Sequence, residues 1–443
     1  MQHPFHCPET GALLARVKDA YSSSNGKSYP VIDEIPWLVP HADQLLNEWQ
    51  VLAQQTLAEL INQGAQAQDE LGRCALKSTA KRLQKLATAF PDQAKLIDNL
   101  LAQFMVQPLG APVSQALQKI LPSNQRLLSY LSNVFRDWNW GQEENQATLA
   151  MIEKVFPVGT QGRFVFLGCG SGRLMYDVHK KYEPAHSIGI DLNPLLLKIA
   201  RKMFMGTELS LYEMPALPRT TEKAAVLRSL KAEGKLKGSW DLVLGDMSAL
   251  PLANASADVV FTPWLLDILP FETPDVIRTV HAILKPKGTW VQLGPLGFRR
   301  RSKRANLTAE ELAELTLTQG FEIQHIDGAF LPYIQSPAES GLRTEWVTAF
   351  SAVRDSEAAT RLPLEGLPSW LTNPTEAIPK LKSIETSLYV HRLYAEVLMM
   401  IDGKRSIEEV AGLLNQNFSL EASEALGVAR RFFRSAWEAE LWE

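Results

Sequence analysis

The sequence predicts a mixed α/β protein built on a mostly parallel sheet, and three observations carry that expectation. From about residue 160 to 355, short β-rich runs alternate with helical segments: "RFVFLG", "HSIGID", "DLVLGD", "ADVVFTPW" and "GTWVQLGP" are separated by stretches such as "NPLLLKIARKMF" and "TPDVIRTVHAILKP". Such alternation calls for parallel strands joined by crossover helices. A glycine-rich turn, Gly168-Cys169-Gly170-Ser171-Gly172, joins the first of these strands to a helix. Acids end two further strands, at Asp191 and Asp246, on the sheet edge where open α/β folds bind ligands.

Taken in order, the elements divide the chain into five parts. Residues 1–40 read as a small β-rich module, because "SYPVIDEIPWLVP" alternates apolar and polar residues and is punctuated by Pro36 and Pro40. Residues 42–150 read as helical. Leu45, Leu46, Trp49, Leu52, Ala53, Leu57, Leu60 and Ile61 share one helix face, and "NQRLLSYLSNVFRDWNW" is a second such stretch. Residues 151–356 hold the α/β domain. Residues 357–379, carrying Pro363, Gly366, Pro368 and Pro374, read as a linker. Residues 380–443 read as a compact helical tail.

Bulk properties narrow the function. The chain has 443 residues, 46% hydrophobic and 21% charged, with a net charge of −4 and a pI near 6.1. A globally basic nucleic-acid footprint is excluded, although local patches are not. The three cysteines, Cys7, Cys74 and Cys169, form no CxxC pair, so no disulfide framework is expected and a reducing, cytoplasmic setting is. The N-terminal residues lack a charged segment followed by an apolar one, and no apolar run approaches the length of a membrane span.

The glycine turn lets backbone approach a ligand that side chains would exclude. Asp191, nineteen residues after Gly172, is placed to accept hydrogen bonds from ribose hydroxyls, and Asp246 with Met247 to read an adenine amino group beside an apolar flank. Taken singly, each acid reads rather as a cap or turn residue; it is jointly, at successive strand ends on one sheet edge, that they read as a site. The outline "LGCGSG…GIDLNP…LGDMSALPL…LKPKGTWV", with "GFEIQHIDG…WVTAFSAVR" as a terminal hairpin, resembles class I S-adenosylmethionine-dependent methyltransferases. That resemblance implies a Rossmann-like sheet with an antiparallel hairpin end, and S-adenosyl-L-methionine as cofactor.

Most class I methyltransferases carry an acid where this chain has Phe166. The order "FRDW" (135–138), "GCGSGRL", an adenine-site "GD" and "ILKPKGTWVQLGPL" (283–296) resembles the carnosine N-methyltransferase family, which tolerates that absence. The resemblance implies that Asn133 and Arg136 contact the methionine end of the cofactor. Gly168, Gly170 and Gly172 would approach it, Asp191 would hold its ribose, and Asp246 and Met247 its adenine. Within "TPWLLDILP", Asp267 falls near the family's substrate-binding acid, which implies a catalytic role. A carboxylate holding one imidazole N–H leaves the other nitrogen's lone pair free to attack a sulfonium methyl. Phe298, Arg299, Tyr333 and Trp346 stand where the family binds its acceptor, but the family's histidine is replaced in Gly297-Phe298-Arg299.

These readings imply N-methylation of a small molecule or peptide at an imidazole-type nitrogen. Two alternatives stay open. The basic run "RRRSKR" (299–304) admits an RNA or protein acceptor, or a grip on an anionic one, and a non-catalytic peptide-binding protein could retain the same fold. Arg173, following the glycine turn, reads either as a partner for a carboxylate or as a helix-surface residue. Residues 5–39 resemble the small zinc-ribbon-like module of several RNA and protein methyltransferases. Cys7 is the lone survivor of its ligands, so no metal is expected, His3 and His6 notwithstanding. "IDGKRSIEEVA", with Ser406 and Glu409 spaced as a capping box, resembles PqqD-like peptide-binding modules and implies a peptide partner for the tail. A structural helical role fits it as well.

Overall fold

The computed structural model describes residues 5–102, 127–156, 161–300 and 302–355, together with 375, 377, 392, 395–418 and 421–438 near the C-terminus. Two compact units result, Met1–Glu365 and Gly366–Glu443.

The first unit opens with a four-stranded antiparallel sheet of β1 (Leu14–Val17), β2 (Ala20–Ser23), β3 (Ser28–Ile32) and β4 (Ile35–Pro36). Among the described residues no three metal-ligating side chains come together, and the Cys7 thiol lies 3.0 Å from the Tyr29 hydroxyl. His3 lies outside the described residues. Two long helices follow, α1 (Ala42–Arg73) and α2 (Lys77–Leu101), packed on each other.

The sequence predicts a helix through residues 124–140, and here the structure differs. A turn at 127–130 leads into the short α3 (Leu131–Phe135), then a wide π-helical turn at Arg136–Trp140, and only then α4 (Gln142–Val155). The wide turn is held from outside. The Asn145 amide donates to the carbonyls of Arg136 and Asp137, both at 3.2 Å, and the Trp138 indole N–H donates to the Ser171 carbonyl at 3.0 Å.

The main sheet has seven strands. β5 (Arg163–Leu167), β6 (His186–Asp191), β9 (Trp240–Leu244), β10 (Ala257–Pro263) and β11 (Leu284–Gly294) run parallel in the order β11-β10-β5-β6-β9. The hairpin of β12 (Phe321–Pro332) and β13 (Thr344–Arg354) adds antiparallel beside β11. A separate ribbon, β7 (Leu209–Glu213) with β8 (Val226–Leu230), was not evident in the sequence pattern. Helices α5 (Arg173–Tyr182), α6 (Pro194–Phe204), α7 (Thr273–Ile283) and α8 (Ala309–Thr318) complete the unit.

Phe166 has a packing role where an acid was expected. Its ring stacks on Phe261 of β10 at 4.6 Å and 4°, fully buried, a contact worth about 0.5–1.5 kcal/mol beyond area burial.

The open edge of β9 is covered by the N-terminal module. Trp37 pairs with Leu244 in parallel, and the Leu38 N–H donates to the Leu244 carbonyl at 2.8 Å. An unpaired edge strand would expose its amides to other chains, so this pairing both closes the sheet and orients the module. Lys198, only 3% exposed, ties three parts together: it donates to the Leu100 carbonyl at 3.2 Å and stands 3.8 Å from Asp33.

The C-terminal unit contains α9 (Ile407–Phe418) and α10 (Ala422–Glu438), packed around Val397, Val410, Leu414 and Ala425. The capping box forms: the Ser406 N–H donates to Glu409 at 2.7 Å and the Glu409 N–H to the Ser406 hydroxyl at 3.2 Å. Most of residues 357–379 lie outside the described residues. No helix among the described residues is long and apolar enough to cross a membrane.

Candidate functional site

A cavity of about 340 Å³ opens at the carboxyl ends of β5, β6, β9 and β10, within the size range of small-molecule sites. It is formed where parallel strands end and their connections diverge.

At the end of β6, Asp191 binds two backbone amides. One carboxylate oxygen accepts the Gly170 N–H at 2.8 Å and the other the Asn193 N–H at 2.9 Å. Burial pushes its carboxyl above the usual range, against the pull of those amides. Each oxygen keeps a further lone pair for a donor from the cavity. After β9, Asp246 accepts the Ser248 N–H at 2.7 Å, capping a short turn, while lining the cavity with Met247. Its cap role and its site role therefore coexist.

The glycine loop divides its work. Gly168 and Gly170 line the cavity, and a Cβ built on Gly170 would meet nothing within 4 Å, so the loop leaves room for a ligand there. Gly172 instead faces the core: its φ is +83°, and a Cβ would come within 2.8 Å of Phe204.

Asn133 and Arg136 also line the cavity. Arg136 bonds Asp137 through Nε and Nη2, at 2.8 and 2.6 Å, and the Ser171 hydroxyl donates to the other oxygen of Asp137. This buried pair couples the π-helical turn to the glycine loop. Arg173 lines the cavity with its guanidinium engaged by Asp177 at 2.7 Å, the Asp137 carbonyl at 2.7 Å and Gln142 at 3.1 Å. The side chain is 12% exposed, its guanidinium held by partners within the protein.

The opposite wall is apolar and aromatic. Trp264, Leu265, Ile268, Leu269 and Phe271 line it beside Tyr333, whose ring lies 4.9 Å from that of Trp264. Asp267 is absent from the lining; one carboxylate oxygen accepts the Gly297 N–H at 3.1 Å, and burial pushes its carboxyl up. Phe298 is buried and Arg299 exposed, and neither lines the cavity. Trp346 is 51% exposed, edge-on to Phe330 on the hairpin. The structure therefore gathers Asn133, Arg136, Gly168, Gly170, Asp191, Asp246, Met247 and Tyr333, and leaves Gly172, Asp267, Phe298, Arg299 and Trp346 outside the lining.

Sequence reasoning did not assign Trp49, Tyr130, Asp137 or Asn193 to the site, although all four line it. Trp49 read only as one position on an apolar helix face, and long-range packing of α1 is what brings it there.

Residues 165–291 match the family model described as a methyltransferase domain. Two curated relatives, the secondary metabolism regulator laeA of Aspergillus fumisynnematus and that of Aspergillus fumigatus, are each 27% identical over 173 residues, covering 36% of this chain and 36% of theirs. The chain thus spans about a third of the length of these relatives. Among solved structures, Haemonchus contortus phosphoethanolamine N-methyltransferase 2 with S-adenosyl-L-methionine is 14% identical, covers 53% of this chain and 58% of its own, and has a TM-score of 0.34. A Methanosarcina mazei S-adenosylmethionine-dependent methyltransferase is 16% identical, covers 45% and 95%, and has a TM-score of 0.32. At those scores they add nothing to the assignment, which rests on strand order, cavity and family match. The chain carries a class I methyltransferase domain, and the cofactor of that domain is S-adenosylmethionine.

Proposed function

We propose that the protein transfers the methyl group of S-adenosylmethionine to a nitrogen of a small molecule or peptide, an imidazole-type ring nitrogen being the acceptor best matched to the site. One observation carries the cofactor half of the proposal: Asn133, Arg136, Gly168 and Gly170 line a single cavity with Asp191 and Asp246; the acceptor half rests on the resemblance to carnosine N-methyltransferases. When bound, the cofactor supplies an electrophilic methyl on a sulfonium. Asp191 then accepts ribose hydroxyls with its spare lone pairs, and Asp246 faces the adenine amino group. Arg136 offers its remaining guanidinium N–H groups to a carboxylate. The apolar wall excludes water and aligns the acceptor, which is the main source of rate in a displacement of this kind.

A second reading keeps Asp267 as the group that holds the acceptor N–H. Its burial favours it, since burial pushes the carboxyl up and so makes the carboxylate a stronger proton acceptor. The RNA and protein alternative draws on the basic run. Against it, Arg299 stands outside the cavity and Arg300 donates to the carbonyls of Leu269 and Phe271.

The test is incubation of the full chain with tritiated S-adenosylmethionine and three acceptor sets: histidine derivatives, short peptides and RNA. Label on a histidine derivative supports the proposal. Label confined to RNA, weakened steeply by salt, contradicts it.

A further inference from the structure

Glu144 is a buried carboxylate with a connection that spans the fold. It lies on α4, 7% exposed, and its two oxygens accept two successive backbone amides 190 and 191 residues away: Ile334 N–H at 2.9 Å and Gln335 N–H at 2.8 Å. Such a two-amide grip by a charged acceptor is among the stronger hydrogen-bonding arrangements, and its burial makes it costly to break.

The segment it grips is strained. Ile334 has φ +51°, a left-handed conformation that β-branched residues avoid. Strain of this kind persists only where neighbours over-determine the backbone. The residue immediately before it is Tyr333, on the cavity wall. Tyr333 is fixed from two other sides, by its own N–H to the Arg343 carbonyl at 3.0 Å and by the Arg343 guanidinium 4.7 Å from its ring centre. Its ring partner Trp264 is also left-handed, with φ +54°, and is held by its N–H to the Leu293 carbonyl at 2.7 Å. One strained residue thus adjoins Tyr333 and its ring partner is itself strained, while Asp267 and Arg299 stand outside the cavity lining.

We propose that Glu144 is a positioning residue for the methyl acceptor, holding the Tyr333 segment so that the Tyr333–Trp264 wall receives a flat ring. The proposal rests on the methyltransferase reading of the cavity and adds to it the residue that sets acceptor recognition. A flat ring follows from the wall itself, whose faces are aromatic and apolar and favour offset or edge-on ring contacts.

The experiment uses the full chain and calorimetry in two titrations: S-adenosylhomocysteine first, then 4-phenylimidazole or cyclohexanol into the saturated protein. The expected result is measurable 4-phenylimidazole binding, tighter than that of cyclohexanol. Glu144→Gln turns an NH₂ group toward one of the two amides, so it should weaken 4-phenylimidazole binding about tenfold while S-adenosylhomocysteine affinity stays within about twofold. Tyr333→Leu provides the same test without disturbing the buried carboxylate, and should also weaken the ring probe selectively. Intact S-adenosylhomocysteine binding with ring affinity unchanged in both variants, or no preference for the ring over cyclohexanol, overturns the proposal. Failure of the unmodified chain to bind S-adenosylhomocysteine overturns the underlying reading, and the proposal falls with it.

Discussion

The Asp191 carboxylate accepts the Gly170 N–H at 2.8 Å, so the acid ending β6 also fixes the loop that follows β5. Removing that acid should therefore act twice, through lost ribose acceptors and through a loosened loop. Asp191→Ala is expected to weaken S-adenosylmethionine binding by about 1–3 kcal/mol. Calorimetry checks this, and an unchanged affinity would remove Asp191 from the site.

Two glycines of one loop should fail in different ways. Gly172→Ala places a methyl within 2.8 Å of Phe204 at a φ of +83°, which combines left-handed strain with overpacking and should cost about 2–5 kcal/mol of stability. At Gly170, with φ +56°, an added methyl meets nothing within 4 Å, so only strain of about 1–2 kcal/mol is expected. There the methyl occupies ligand space, and cofactor affinity should fall instead. Denaturant midpoints set beside binding constants for both variants separate the two effects.

Much of this was legible in the sequence. The parallel strands were marked by apolar runs ending in glycine or acid, and the capping box at Ser406 by its spacing alone. The break at residues 127–140 was not, because helical periodicity carries no sign of a turn stabilised by Asn145 and Ser171 from elsewhere in the chain. Asp267 looked like an acceptor-side acid from its place after a strand. Which way its carboxylate turns depends on the Gly297 amide, thirty residues on, and local pattern does not reach that far. Glu144 left no local trace either, since its partners Ile334 and Gln335 are distant in sequence.

The N-terminal module should be integral to the fold. Trp37, 2% exposed, pairs with the strand that leads into Asp246. Trp37→Ala is expected to cost about 3–5 kcal/mol, read as a lowered denaturant midpoint. A change below about 1 kcal/mol would show that the edge pairing contributes little.

A pH effect should arise at His179. Its Nε2 lies 2.8 Å from the Lys237 carbonyl and its Nδ1 2.8 Å from the Ser187 hydroxyl, which fits a neutral ring donating from Nε2 and accepting at Nδ1. Burial holds its pKa below the usual imidazole range. The unfolded chain therefore takes up this proton first, and stability should fall as pH drops below about 6.5, levelling off once the folded ring also protonates. Thermal unfolding between pH 7.5 and about 5 should show a shallower slope in His179→Gln. Parallel slopes would remove His179 as the cause.

Asp267→Asn separates the two acceptor readings. If the carboxylate serves only to hold the Gly297 amide, kcat should change by less than about tenfold; a loss of about 10²–10⁴-fold would mark it as the acceptor's base. With the carboxylate turned to Gly297 and outside the cavity lining, the smaller change is expected.

The central claim is that the cavity beside Asp191 and Asp246 holds S-adenosylmethionine, and calorimetric titration of that cofactor into the full chain tests it most directly. The account predicts saturable binding at one site with a Kd in the micromolar range or tighter, about −8 kcal/mol, weakened in Asp191→Ala. Absence of saturable binding at cofactor concentrations of about 1 mM, where even an affinity near −4 kcal/mol would register, would contradict it.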